Sequence, residues 1–137
     1  MIWQGDLLSG SGTIERVGSG AFGSLGVSWT ARTEDEPGGM TSPEELIAAA
    51  HASCFSMAFA SGLAKAGTPP ERLESSAQVT FVAGAGITKI ALEVRGRVPG
   101  LDEDGFRAAA EDAKNGCPVS KALAAVPEIT VQATLER

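Results

Sequence analysis

Residues 41–67 read TSPEELIAAAHASCFSMAFASGLAKAG, and this stretch decides the fold. Thr41-Ser42 offers a polar N-cap, Pro43 suits the first helical position, and Glu44-Glu45 place acidic groups in the first turn. Apolar and small residues then recur at helical spacing, and Gly67 with Pro69 ends the run. These signals predict a helix of about 24 residues. Because it is apolar almost all round, we expect it to be buried. The recurring positions are Leu46, Ala50, Ser53, Met57, Ala60 and Ala64.

The rest of the chain alternates turn signals with short strand-like segments and two further helices. The order βββ–α–ββ–α–α–β lacks a βαβα alternation, so the sequence predicts an α+β fold with antiparallel sheet packed on helices. We expect one domain over residues 1–137, with no internal repeat. The predicted strands are Ile2–Leu8, Gly12–Val17, Leu25–Thr30, Leu73–Val82, Ile87–Val98 and Ile129–Glu136, and the other helices are Asp102–Lys114 and Pro118–Ala125.

Composition excludes several classes of function. The net charge is −6 and the aromatic content only 5%, so no basic or stacking surface for nucleic acid is expected. Hydrophobic residues make up 43% of the 137 residues, enough to fill one core. Residues 1–30 lack the pattern of a signal peptide. We find no apolar run that lacks polar interruption strongly enough to span a bilayer. The sequence therefore predicts a cytoplasmic protein without membrane or nucleic-acid partners.

Cys54 and Cys117 are the only cysteines. In a reducing compartment such a pair is more typical of catalysis, redox sensing or metal binding than of a structural disulfide. Zinc needs three or four ligands at recognisable spacing, and one histidine with two distant cysteines does not supply them. No metal or other cofactor is therefore expected.

Local physics favours Cys117 over Cys54 as a reactive thiol. Cys54 lies in mid-helix, where only His51 on the same face is near in sequence. Cys117 precedes Pro118, which begins a helix whose amides point back toward the sulfur. The alternative is that both thiols are buried and inert, since free cysteine is among the most buried residue types. The role of His51, packed polar group or direct participant, is left open by the sequence.

Two blocks of the sequence resemble the OsmC/Ohr family of thiol peroxidases. The first contains Arg32 and then residues 41–57, TSPEELIAAAHASCFSM; the second is residues 116–123, GCPVSKAL. The opening residues 3–7 and 12–13 are similar to the first hairpin of that family. The residues around both cysteines resemble those of the OsmC (osmotically inducible protein C) branch.

This resemblance implies an OsmC-like intertwined homodimer, with antiparallel sheets wrapped around long central helices and active sites at the subunit interface. It implies that Cys54 is the peroxidatic thiol and Cys117 the resolving thiol, with Arg32 and Glu44 activating Cys54. That assignment replaces the choice of Cys117 made from local physics. The implied activity is reduction of organic hydroperoxides, and less well of hydrogen peroxide, with a dithiol or lipoylated protein as reductant. The alternative is a redox-sensing or small apolar-ligand-binding protein on the same fold.

One spacing bears on the oligomeric state. Glu44 and Cys54 are ten residues apart (54 − 44), which is about 15 Å along a continuous helix. A carboxylate cannot assist a sulfur within one helix over that distance. If Glu44 serves the site, the simplest arrangement is delivery from a second chain, with helices crossing near Ala48-Ala49-Ala50.

Overall fold

The computed structural model describes residues 1–137, and the predicted α+β class is confirmed. The chain divides into two compact units, Met1–Leu46 and Ile47–Arg137. The elements in chain order are β1 (Ile2–Gln4), β2 (Ser11–Ile14), β3 (Leu25–Val27), α1 (Trp29–Thr33), α2 (Pro43–Lys65), β4 (Arg72–Val82), β5 (Gly86–Arg97), α3 (Glu103–Gly116), α4 (Pro118–Ala122) and β6 (Glu128–Leu135).

The first unit is built on a small antiparallel sheet in the order β1–β2–β3. β1 is shorter than the predicted strand Ile2–Leu8, because Asp6 begins the turn early, and β2 ends at Ile14 rather than at Val17. The Asp6 carboxylate accepts hydrogen bonds from the backbone N–H groups of Leu8 and Ser9, each at 2.9 Å. Gly5 has a φ of 89°, which favours glycine at this position. The connection between β1 and β2 is therefore longer than the three residues, Ser9-Gly10-Ser11, that the predicted strands leave between them.

The predicted strand Leu25–Thr30 is wrong beyond Val27. Ser28 caps a short helix instead, since its side chain accepts a hydrogen bond from the Ala31 backbone N–H at 3.0 Å. Trp and Thr favour strands by propensity, but this capping interaction starts helix α1. Arg32 consequently lies in the last turn of a helix.

Helix α2 has nearly the predicted bounds, but its burial differs from the prediction. Only one stripe is fully buried in the chain, formed by His51, Phe55, Phe59 and Leu63 at intervals of four residues. Met57 on another face is 73% exposed. The expectation that the helix is buried all round is therefore wrong for the single chain. By length and composition α2 also meets the requirement for a membrane span, contrary to expectation, although core helices meet it too.

The second unit contains the sheet β4–β5–β6. β4 and β5 pair antiparallel, as expected, but β6 pairs with β5 in parallel, with Leu92 opposite Val131. The purely antiparallel arrangement was wrong here, because α3 and α4 carry the chain across before β6 begins. Buried side chains from α2, β5 and α3 meet in one core, where the rings of Phe59 and Phe106 lie 5.0 Å apart.

Two details fix α3 against this sheet. Asp102, where the sequence predicted the helix to begin, caps it by accepting a hydrogen bond from the Gly105 backbone N–H at 2.8 Å. Gly96 on β5 leaves room for Phe106, because a Cβ at that position would lie 2.6 Å from the ring. These contacts fix the N-terminal turns of α3 against the sheet, and Cys117 follows the other end of the helix as a buried member of the same core.

Candidate active site

The two cysteines lie together in the second unit. Cys54 projects from the middle of α2 and is partly exposed, whereas Cys117 is fully buried between α3 and α4. Both thiols are free, and their side chains hydrogen-bond to each other. Residues that are far apart in the sequence thus form a contact from which a disulfide can form.

The position of Cys117 follows from local backbone geometry. Its backbone N–H donates to the Ala113 carbonyl at 2.9 Å and closes α3, while its carbonyl accepts from the Lys121 N–H at 3.1 Å. The same residue is thus the C-cap of one helix and the N-cap of the next. With Pro118 at the first helical position of α4, the backbone changes direction sharply at Cys117.

The surroundings of Cys117 favour its thiolate. Burial is the largest single influence on its pKa and acts to raise it. The backbone N–H of Ser120, the Cys54 side chain, the Val119 N–H and the Ser120 hydroxyl act in the opposite sense. Together they hold the pKa of Cys117 below the ordinary thiol value. The amides of Val119 and Ser120 belong to the first turn of α4, which Pro118 begins.

Cys54 has the opposite balance. The largest single influence is the Val119 backbone N–H, which lowers the pKa of Cys54. The hydrogen bond that the Cys54 thiol donates to Cys117, burial, and Coulomb repulsion by Cys117 outweigh it, so the pKa of Cys54 lies above its usual value. Within the second unit, the shared proton therefore favours Cys54 over Cys117.

Arg32 and Glu44 meet in the first unit. The Arg32 Nε donates to Glu44 Oε1 at 2.9 Å, and Nη2 lies 2.8 Å from the same oxygen. Glu44 is buried, while the Arg32 side chain is 28% exposed. The guanidinium also stacks over Trp29, with Cζ 5.7 Å from the ring centroid. The four residues expected at the site thus form two contacting pairs, one in each unit.

His51 makes a contact that the sequence did not indicate. Its Nε2 lies 2.7 Å from the Ser120 hydroxyl in the buried interior of the second unit. Nδ1 is buried and has no hydrogen-bond partner in the chain. Burial lowers the pKa of His51, which favours the neutral ring. No group of three or more His, Cys, Asp or Glu side chains is arranged to hold a metal ion.

Sequence reasoning missed Ser120 and Val119 as members of the site. Val119 acts through its backbone N–H, which carries no side-chain signal. Ser120 had a signal, because it stands three residues after Cys117 at a helix start, where the N-cap side chain faces the third helical residue. Phe55 and Phe59 belong to the core and are at most 1% exposed, so neither ring forms a substrate-facing surface.

Comparison with known proteins identifies the family. The family model described as OsmC-like protein matches residues 35–132. Peroxiredoxin OsmC of Escherichia coli (strain K12) is 43% identical over 137 residues, covering 98% of this chain and 92% of that protein. The chain therefore belongs to the OsmC family, and the expectation from the two cysteine blocks is confirmed.

Solved structures agree on the fold. An OsmC-like protein from Mycoplasma pneumoniae has a TM-score of 0.69 at 14% identity, covering 93% of this chain and 96% of that one. The organic hydroperoxide resistance protein OhrB of Bacillus subtilis has a TM-score of 0.62 at 20% identity, covering 98% and 95%. These similarities establish a shared fold.

Proposed function

We propose that this chain is a thiol-dependent peroxidase that reduces organic hydroperoxides, and hydrogen peroxide less well, in defence against oxidative stress. The observation that carries the proposal is the hydrogen-bonded pair of free thiols, Cys54 and Cys117. Membership of a family that includes Peroxiredoxin OsmC of Escherichia coli supports it. A purely ligand-binding role on this fold is not favoured, because it gives no reason for the two thiols to be in contact.

In the first step, Cys54 is the peroxidatic residue. Its thiolate attacks one oxygen of the hydroperoxide, the O–O bond breaks, and the other oxygen takes a proton and leaves as alcohol or water. The sulfur is oxidised by two electrons to a sulfenic acid. Partial exposure of Cys54 supports this order, since a peroxide can reach it more readily than the fully buried Cys117.

In the second step, Cys117 resolves the sulfenic acid. Its sulfur attacks that of Cys54, an S–S bond forms, and the hydroxyl leaves as water. The existing thiol contact and the lowered pKa of Cys117 support this role, because the attacking species is the thiolate. A dithiol, such as the lipoyl group of a partner protein, then returns two electrons and restores both thiols.

Arg32 and Glu44 serve as the activating pair for Cys54. The raised pKa of Cys54 calls for a cation near the sulfur during attack, and an arginine held by a buried carboxylate is a rigid source of one. Two nitrogens of Arg32 contact the same carboxylate oxygen of Glu44, and this double contact fixes the plane of the guanidinium.

The active form is an intertwined homodimer of single OsmC-like domains, each comprising both compact units. Support comes from the most apolar stretch of α2, of which only 22% is buried in the single chain. Its open face carries Met57 and small residues such as Ala49, Ala50 and Ser53, which allow a second helix to approach closely. A cytoplasmic location fits this chemistry, because a reducing compartment regenerates the thiols.

Steady-state consumption of a hydroperoxide by the purified protein tests the proposal. The assay supplies dihydrolipoamide and compares cumene hydroperoxide, tert-butyl hydroperoxide and hydrogen peroxide. We expect many turnovers per chain and a higher kcat/KM for the organic substrates. Consumption that stops at one equivalent per chain with every dithiol tried would instead indicate a stoichiometric thiol sensor.

A further inference from the structure

A titratable ring is enclosed in the core beside the thiol pair. His51 is fully buried, yet only Nε2 has a hydrogen-bond partner, the Ser120 hydroxyl at 2.7 Å. A buried polar atom without a partner costs free energy, and phenylalanine or leucine would fill such a site without that cost. The polar contact therefore calls for an explanation beyond packing.

Ser120 links this ring to the buried cysteine. Cys117 is the N-cap of α4, and Ser120 follows it by three residues, at the position that an N-cap side chain faces. The Ser120 hydroxyl interacts with the Cys117 sulfur on one side and with His51 Nε2 on the other. The three side chains, each at most 8% exposed, form a continuous polar line through apolar surroundings.

The resolving step needs such a line. When Cys117 attacks the sulfenic acid, its thiol proton must leave, and the departing hydroxide must gain one to become water. Cys117 is fully buried, so bulk water is not in contact with its sulfur. A neutral imidazole is a suitable acceptor, and burial keeps the ring of His51 in that form.

We propose that Ser120 and His51 form a proton relay for the resolving step. Ser120 takes the thiol proton of Cys117 while passing its own to Nε2 of His51, and this proton is later returned to the hydroxide that leaves Cys54. The net reaction joins a sulfenic acid and a thiol into a disulfide and one water, with no net proton exchange. The inference rests on the proposed peroxidase function. Ser120 contacts a reacting atom, whereas His51 acts through it.

Single-turnover kinetics separate this inference from the proposed function. Reduced protein is mixed rapidly with one equivalent of cumene hydroperoxide. Peroxide loss reports oxidation of Cys54, and acid quenching with mass spectrometry reports disulfide formation. The variants are Ser120→Ala, Ser120→Thr, which keeps a hydroxyl, and His51→Gln, which can hydrogen-bond but cannot take up a proton. Ser56→Ala is the matched control, since it removes a hydroxyl of α2 that bonds only Ser75, at 2.8 Å.

We expect Ser120→Ala and His51→Gln to slow disulfide formation about a hundredfold more than they slow peroxide loss. Ser120→Thr restores the second phase, and Ser56→Ala changes neither. The solvent deuterium isotope effect on the second phase should fall in the two slow variants, which a structural role alone does not predict. Wild-type resolution in either variant, or equal slowing of both phases, overturns the relay. Absence of peroxide loss in the wild type itself would instead overturn the peroxidase function.

Discussion

Arg32 holds a single carboxylate oxygen of Glu44 through two of its nitrogens, at 2.9 Å from Nε and 2.8 Å from Nη2. The second carboxylate oxygen is buried and has no hydrogen-bond partner in the chain. A buried carboxylate that depends on one arginine is strongly destabilised when that arginine is removed. The Arg32–Glu44 ion pair therefore contributes to stability independently of any catalytic role.

The first prediction concerns the contribution of the Arg32–Glu44 ion pair to stability. Arg32→Ala should lower the free energy of unfolding by about 2 kcal/mol, because Glu44 is left buried without its main partner. Urea denaturation of the single variants and of Arg32→Ala/Glu44→Ala gives the coupling. We expect the double variant to lose less than the sum of the singles. Strict additivity would show that the ion pair contributes nothing.

The second prediction concerns activation of Cys54. Arg32→Lys keeps the charge but loses the planar guanidinium that contacts Glu44 through two nitrogens. It should therefore lower kcat/KM nearly as much as Arg32→Ala. The alkylation rate of Cys54 against pH, measured in a Cys117→Ala background, reports the thiolate directly. Arg32→Ala should move that profile to higher pH. An unmoved profile would exclude Arg32 as the activating cation.

The third prediction concerns the proton shared by the thiols. Because the pKa of Cys117 is lowered and that of Cys54 raised, thiolate absorbance at 240 nm should rise in two steps, one on each side of the ordinary thiol range. Cys117→Ala removes the hydrogen bond and repulsion that raise the pKa of Cys54, so that pKa should fall. Cys54→Ala removes an interaction that lowers the pKa of Cys117, so that pKa should rise. Shifts of the same sign in both variants would refute this coupling.

The fourth prediction is that Glu44 and Cys54 of one active site come from different chains. Helix α2 begins at Pro43 and so includes both Glu44 and Cys54. Along this helix Glu44 and Cys54 are separated by about 15 Å. Mixing inactive Glu44→Gln and Cys54→Ser chains should restore one site per heterodimer, built from the wild-type residues of both chains. A Cys54→Ser mixture with wild type, at the same ratio, controls for simple exchange. No recovery despite proven exchange would place both residues in one chain's site.

Local signals in the sequence were enough to place most elements. The N-cap, proline and acids of residues 41–45 set the start of α2, and Asp102 set the start of α3. The helix at Ser28 was missed because a capping serine was outweighed by the strand propensity of its neighbours. The parallel pairing of β6 depends on long-range contacts that no local pattern encodes.

The candidate site was predicted less from spacing than from family resemblance. Nothing in the intervening sequence shows that Cys54 and Cys117 touch, because the contact is made by tertiary packing of α2 against the α3–α4 turn. Local physics did anticipate the lowered pKa of Cys117, since the helix-start amides are encoded by Cys-Pro-Val-Ser. The local sequence did not indicate the contact between His51 and Ser120, because these residues are 69 positions apart.

The central claim is that Cys54, despite its raised pKa, is the thiol that attacks the peroxide. The most direct test is to treat Cys117→Ser and Cys54→Ser separately with one equivalent of cumene hydroperoxide in the presence of dimedone, and to locate the adduct by tandem mass spectrometry. We predict a stoichiometric adduct on Cys54 in Cys117→Ser, and no peroxide loss with Cys54→Ser. An adduct on Cys117 in Cys54→Ser, formed as fast as wild-type peroxide loss, would contradict the account.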